Sequence, residues 1–117
     1  MNGSRHPVTG APLDPAVLSV GREVAAIVRR AGGNAYRVFL FGSWASGDAH
    51  ERSDIDIAIA GPARVDPAAM LDIREACDRL PTLYTIDLVD LALVTPEFRA
   101  RALRDALELE PSDAARR

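Results

Sequence analysis

The chain has 117 residues, a formal net charge of −3, 48% hydrophobic residues and 26% charged residues. This length predicts one small domain with enough apolar residues for a core. The acidic balance argues against a general affinity for nucleic acid, which depends mainly on neutralising phosphates. The single cysteine, Cys77, excludes an internal disulfide, and the sequence has neither an apolar run of membrane-spanning length nor a signal peptide. We therefore expect a cytoplasmic protein.

Three helices are predicted by one repeated signal, a capping side chain directly before a proline that suits the first helical position. The first helix is expected to end at Gly32-Gly33, the second at Pro81 and the third before Pro111. The three signals are Asp14-Pro15, Asp66-Pro67 and Thr95-Pro96. Apolar residues recur at helical spacing in each segment, and in the third they are Phe98, Ala102, Leu103, Ala106 and Leu107.

Three strands are predicted between these helices. Residues 37–41 form a continuous apolar run typical of a central strand, whereas residues 53–60 and 84–90 alternate between apolar and polar side chains. The short link between the first two strands favours antiparallel pairing. We expect an α/β (α+β) fold, a small mixed sheet of three or more strands with helices packed against it. The domain is expected over residues 14–110, between a flexible arm at 1–13 and a frayed tail at 111–117.

The second strand carries an unusual acidic face. Its isoleucines point to one side, so Asp54 and Asp56 share the other, with β-carbons about 6–7 Å apart. Two carboxylates so close repel each other unless a cation lies between them. By the same alternation, the third strand places Asp87 opposite its apolar face. Three carboxylates on two strands match the requirement of a two-metal site for displacement at phosphorus, and Mg²⁺ prefers such ligands.

A Gly-Ser pair ends the first strand just before these carboxylates. Gly42 allows a sharp turn or a close approach of the backbone to a ligand. Ser43 adds a hydroxyl, and the neighbouring backbone amides are suited to phosphate oxygens. A phosphate-binding turn and the carboxylates are thus expected side by side.

The pattern of Gly42-Ser43, ten further residues, and then Asp54-x-Asp56 resembles the signature of the polymerase-beta-like nucleotidyltransferase superfamily. Asp87 resembles its third carboxylate. From Val38 to about Leu109 the chain resembles the minimal nucleotidyltransferase (MNT) branch, whose members often pair with helical HEPN-type proteins as antitoxin and toxin.

The resemblance implies a set of roles. Gly42 and Ser43 would contact the triphosphate of ATP, and Asp54, Asp56 and Asp87 would hold two Mg²⁺ ions. Asp87 would also help to deprotonate the attacking hydroxyl. The expected reaction is transfer of AMP to a hydroxyl of a HEPN-type partner encoded nearby, within a hetero-oligomer.

One departure from the family pattern concerns the cations. Many relatives carry arginines just after the Gly-Ser pair, where this chain reads Trp44-Ala45-Ser46-Gly47. Arg52, Arg37 or the partner would then have to supply positive charge to the triphosphate.

Alternatives remain open at this point. A binding module with idle aspartates would neutralise its partner by occlusion, and transfer to a nucleic acid end or a small molecule is a further reading. Asp90 rivals Asp87 but has the parity of the apolar residues, which favours a strand-end or turn role. Trp44 is expected to pack at the rim of the site, with stacking on a nucleotide base as the minority reading.

Overall fold

The computed structural model describes residues 13–110, so the predicted tail and the predicted arm except Leu13 lie outside the described residues. Leu13 is buried. The first helix, α1, spans Pro15–Gly32, as predicted. The Asp14 carboxylate accepts the Ala16 backbone N–H at 2.8 Å at its start, and Gly33 ends it with φ 102°. A glycine there costs no β-carbon strain.

A four-stranded sheet forms the centre of the domain. β1 spans Arg37–Phe41 and β2 spans Ile55–Ala60, and the two pair antiparallel as predicted. β3 spans Ile86–Asp90 and pairs parallel with β2. The sheet is therefore mixed, and its continuous apolar strand is internal.

The other two helices that were predicted from their caps are also present, and the last of them is shorter than expected at its C-terminal end. A one-turn helix that was not predicted, α2, occupies Ser43–Ser46. The second predicted helix, α3, spans Pro67–Asp78. A 3-10 turn follows β3 over Leu91–Leu93. The predicted last helix, α4, spans only Pro96–Arg104.

The fourth strand was not predicted. Leu107, which the helical spacing placed in the last helix, begins β4, spanning Leu107–Leu109. β4 pairs antiparallel with β1, with Leu109 opposite Val38, and completes the sheet in the order β3-β2-β1-β4. Leu-Glu-Leu satisfies a two-residue period as well as a helical one, so burial against a strand distant in sequence decides between them.

The core lies mainly on one face of the sheet. Ile55, Ile57 and Ile59 are fully buried there, together with residues of α1 and α3 that include Cys77. A smaller apolar cluster covers the opposite face, where Phe41 meets Phe98 of α4 edge to face at 6.2 Å. Within residues 13–110, no helix is both long and apolar enough to span a bilayer.

Candidate functional site

The candidate site lies where one strand leaves the sheet and two strands enter it. Phe41, the last residue of β1, is the antiparallel partner of Asp56 on β2. Asp56 is in turn the parallel partner of Asp87 on β3. Adjacent strands lie about 4.8 Å apart, so this register brings the Gly42-Ser43 turn and two of the predicted carboxylates to one edge.

Gly42 is required at its position for two reasons. Its φ of 73° and ψ of −154° lie in a region that is essentially restricted to glycine. A β-carbon on residue 42 would also overlap the Asp56 carboxylate oxygen Oδ2. The turn therefore approaches Asp56 more closely than any residue with a side chain would permit.

Ser43 begins a single helical turn, where the sequence indicated only a turn. The Gly42 carbonyl accepts the backbone N–H groups of Ala45 and Ser46 at 3.1 and 2.9 Å. The Ser43 carbonyl accepts the amides of three later residues, Gly47, Asp48 and Ala49. The amides of residues 45–49 are consequently used inside the loop, and the backbone amides left to meet a phosphate are those of Gly42, Ser43 and Trp44.

The three predicted carboxylates differ in exposure. Asp56 is partly buried, whereas Asp54, just before β2, and Asp87 are exposed. Burial raises the pKa of Asp56, and the neighbouring charges of Asp87 and then Asp54 raise it further. Negative charge at this edge of the sheet is thus uncompensated by the described residues near Asp56.

This uncompensated charge suits a divalent cation. Across residues 13–110, no three carboxylate, imidazole or thiol side chains are arranged as a complete ion cage. Mg²⁺ does not require one, because it binds through one or two carboxylates together with waters and substrate phosphates. Asp56 and its register partner Asp87 therefore fit the role of ligands for an ion that arrives with a nucleotide, and the described geometry does not group Asp54 with them in a three-ligand site.

The two arginines that were considered as partners of the triphosphate, Arg52 and Arg37, lie in very different places. Arg52 is exposed in the loop before Asp54, and its backbone N–H donates to Nδ1 of His50 at 3.3 Å. Arg37 lies at the opposite end of β1 from the Gly-Ser turn, roughly 13 Å from Phe41 by strand rise. Its guanidinium donates to both carboxylate oxygens of Glu108 at 2.9 and 2.8 Å, which lowers the pKa of Glu108. Arg37 is therefore not placed to reach the site.

Asp90 has a structural position at the far end of β3, as its parity indicated. Its carboxylate is buried and accepts the backbone N–H of Val65 at 2.8 Å and that of Ala92 at 2.9 Å. It therefore joins the end of β3 to the segment that leads into α3.

Trp44 packs at the rim, and its contacts were not foreseen from the sequence. Its indole N–H donates to the Ser53 carbonyl at 3.0 Å. Its ring meets that of Tyr84 edge to face, with centroids 5.8 Å apart. A tryptophan directly after a glycine-serine turn signals packing, but its partners depend on the folded loop.

Proteins of similar sequence and of similar structure are known. A probable protein adenylyltransferase MntA from Haemophilus influenzae is 34% identical over 64 residues, covering 55% of this chain. The chain spans 56% of that relative's length, about half.

Solved structures share the fold. A toxin–antitoxin with AMP-PNP superimposes with a TM-score of 0.60 at 23% identity, covering 79% of this chain and 73% of that one. A tri-AMPylated Shewanella oneidensis HEPN toxin in complex with MNT antitoxin gives 0.60 at 20% identity, covering 84% and 75%.

The family is identified by the match over most of the domain. The family model for polymerase beta nucleotidyltransferases matches residues 25–113. These include the Gly-Ser turn and Asp54, Asp56 and Asp87, which we together call the acidic edge. The chain belongs to the polymerase beta nucleotidyltransferase family.

Proposed function

We propose that this protein is a Mg²⁺-dependent nucleotidyltransferase that moves AMP from ATP to a hydroxyl of a helical HEPN-type protein. It acts in the cytoplasm as the antitoxin of that partner, within a hetero-oligomer. One observation carries the proposal: the Asp56 carboxylate lies against Gly42 of the Gly-Ser turn, with Asp87 beside it in register.

Relatives support the choice of acceptor. The Haemophilus influenzae relative is described as a probable protein adenylyltransferase. The fold is shared with an antitoxin bound to a tri-AMPylated HEPN toxin and with a toxin–antitoxin that holds AMP-PNP. A protein acceptor is also consistent with the net charge of −3, which does not favour RNA.

Each residue of the site is assigned a role that follows from its position. Gly42 admits the triphosphate close to the backbone, and the Ser43 hydroxyl donates to a phosphate oxygen. The acceptor oxygen bonds to the α-phosphorus, the bond from that phosphorus to the bridging oxygen breaks, and pyrophosphate leaves. Asp87, at the exposed side of the acidic edge, takes the proton of the acceptor hydroxyl.

Asp54, Asp56 and Asp87 would hold Mg²⁺. When bound, the ion offsets the charge of the triphosphate and makes the α-phosphorus more electrophilic. Arg52 is assigned to the triphosphate because it is exposed in the loop that leads to Asp54.

The proposal is tested by incubating the protein with ATP labelled at the α-phosphate and Mg²⁺, with and without the protein encoded beside it. Label should appear on the neighbouring protein and disappear with EDTA or in the Asp56→Ala variant. Absence of label from the partner under all conditions would overturn the transfer reaction.

A second candidate function is neutralisation by occlusion, with inherited but idle aspartates. The observation that favours it is the sequence Trp44-Ala45-Ser46-Gly47, which lacks a cation where α2 borders the site. The Asp54/Asp56 double alanine variant separates the two functions in cells. Retained neutralisation of partner toxicity would establish occlusion, and lost neutralisation with retained binding would establish transfer.

A further inference from the structure

We propose that Trp44 is a positioning residue that fixes Asp54 relative to the Gly42-Ser43 turn by holding the Ser53 carbonyl and the Tyr84 ring. We call Trp44, Ser53 and Tyr84 the aromatic clamp. The inference rests on the proposed function, because the clamp is inferred to align Asp54, a proposed metal ligand, with the triphosphate.

The first contact joins the Gly-Ser turn to the start of β2. Trp44 follows Ser43 in α2, and its indole N–H donates to the Ser53 carbonyl at 3.0 Å in a partly buried position. Ser53 is held at two other points by His50, whose carbonyl accepts the Ser53 N–H at 2.9 Å and whose N–H donates to the Ser53 hydroxyl at 3.0 Å. The indole thus completes the fixation of the residue directly before Asp54.

The second contact extends the clamp to the start of β3. The rings of Trp44 and Tyr84 are perpendicular, at an interplanar angle of 90°. The next residue, Thr85, accepts the Ile55 N–H at 2.9 Å through its carbonyl. Tyr84 is itself tied back, because its N–H donates to the Thr82 hydroxyl at 3.2 Å. The Trp44 side chain, which follows the Gly-Ser turn, therefore contacts both of the other segments that deliver site residues.

Such support has a functional consequence. Asp54 lies outside the regular part of β2 and is exposed, so the sheet alone does not fix it. A misplacement of about 1 Å in a reacting group can lower a rate by roughly a hundredfold. Sites placed on loops depend on neighbouring side chains for this precision.

The sharpest variant is Trp44→Phe, which removes the N–H donor and keeps an aromatic ring against Tyr84. Replacing Trp44, the only tryptophan, with benzothienylalanine exchanges the indole N–H for sulfur at nearly constant shape. Both changes should lower kcat for transfer from labelled ATP by about ten- to a hundredfold, with KM for ATP within about twofold. Amide hydrogen exchange at Ser53 should become about three- to tenfold faster without any nucleotide.

A matched control exists at the other end of β1. Tyr36→Phe also removes one bond from an aromatic side chain to a carbonyl, that of Tyr36 Oη to the Arg64 carbonyl at 3.1 Å. It should leave both kcat and Ser53 exchange unchanged. A melting temperature for every variant separates loss of the clamp from loss of the fold.

Unchanged Ser53 exchange in Trp44→Phe would overturn the inference whatever happens to transfer. Faster exchange with unchanged kcat would overturn it too, because the clamp would then be structural only. Absence of transfer in the wild type would overturn the proposed function instead. The exchange comparison needs no transfer and would still decide whether Trp44 holds the Ser53 segment.

Discussion

Asp56 and Gly42 lie so close together that the carboxylate of the first occupies the space of a β-carbon on the second. The contact crosses from β2 to the residue after β1, and it is set by the pairing of Phe41 with Asp56. The backbone at Gly42 and the carboxylate at Asp56 therefore cannot be changed independently.

Gly42→Ala should abolish transfer and reduce stability. The backbone conformation alone costs about 1–3 kcal/mol for a residue with a β-carbon, and Asp56 must also move aside. Gly33→Ala is the matched control, because Gly33 has φ 102° and ψ 168° but nothing within 4 Å of an added β-carbon. It should lower the urea midpoint and retain transfer. Equal transfer by the two variants would show that the Gly42–Asp56 contact is unimportant.

Asp56→Asn should lower transfer by at least about a hundredfold, because it removes a charged ligand at the point where the turn and the acidic edge meet. The same change should maintain or raise the melting temperature of the metal-free protein. Asp56 is partly desolvated and repelled by Asp87 and Asp54, so its charge is unfavourable there. The melting temperature is measured with EDTA and the rate with Mg²⁺. If Asp56→Asn melted at a much lower temperature than the wild type, both in EDTA, this electrostatic account would be contradicted.

Asp87→Ala and Asp90→Ala should have opposite effects. Asp87 is exposed beside Asp56, so its loss should stop transfer with little change in stability. Asp90 is buried and accepts two backbone N–H groups, so its loss should cost about 3 kcal/mol. Transfer by Asp90→Ala should persist at temperatures where the variant is folded. Chemical denaturation and the labelled-ATP assay on both variants check the assignment.

Cys77 should make stability fall as the pH rises from about 9 to about 11. Burial raises the pKa of its thiol from 9.0 to about 11. In that interval the unfolded chain loses the thiol proton and the folded chain keeps it, so deprotonation favours unfolding. Urea titrations at several pH values should show this loss, and Cys77→Ala should lack it. The native thiol should also react slowly with a disulfide reagent at pH 8 and rapidly in urea.

Local signals predicted much of this fold because they act within a few residues. The Asp14-Pro15 cap and the alternation of β2 each depend on neighbours in sequence, and both are present as predicted. β4 was missed because Leu107 and Leu109 acquire their partners from β1, far away in the chain. The apolar spacing in this segment fits both a helix and a strand, so it does not predict pairing with a distant strand.

The candidate site also combines features that nearby residues predict with features that depend on residues distant in sequence. The spacing of Gly42-Ser43 and Asp56 predicted that the turn and the carboxylate would be neighbours, and the Asp56 side chain is found in the space that a β-carbon on residue 42 would fill. The spacing did not predict that Arg37 would bind Glu108 of β4, because that strand itself was not expected. It also did not reveal the bond from Trp44 to Ser53, which depends on the path of the loop between them.

The alternation of β2 has a consequence for how such a protein can change over generations. Its isoleucines pack in the main core on one face, whereas Asp56 lies on the other face and belongs to neither apolar cluster. Substitutions that silence the chemistry therefore leave a folded domain with its surface intact. Under the proposed function, loss of the carboxylates removes the transfer reaction and leaves the fold, so folded but inactive descendants are an expected outcome of this architecture.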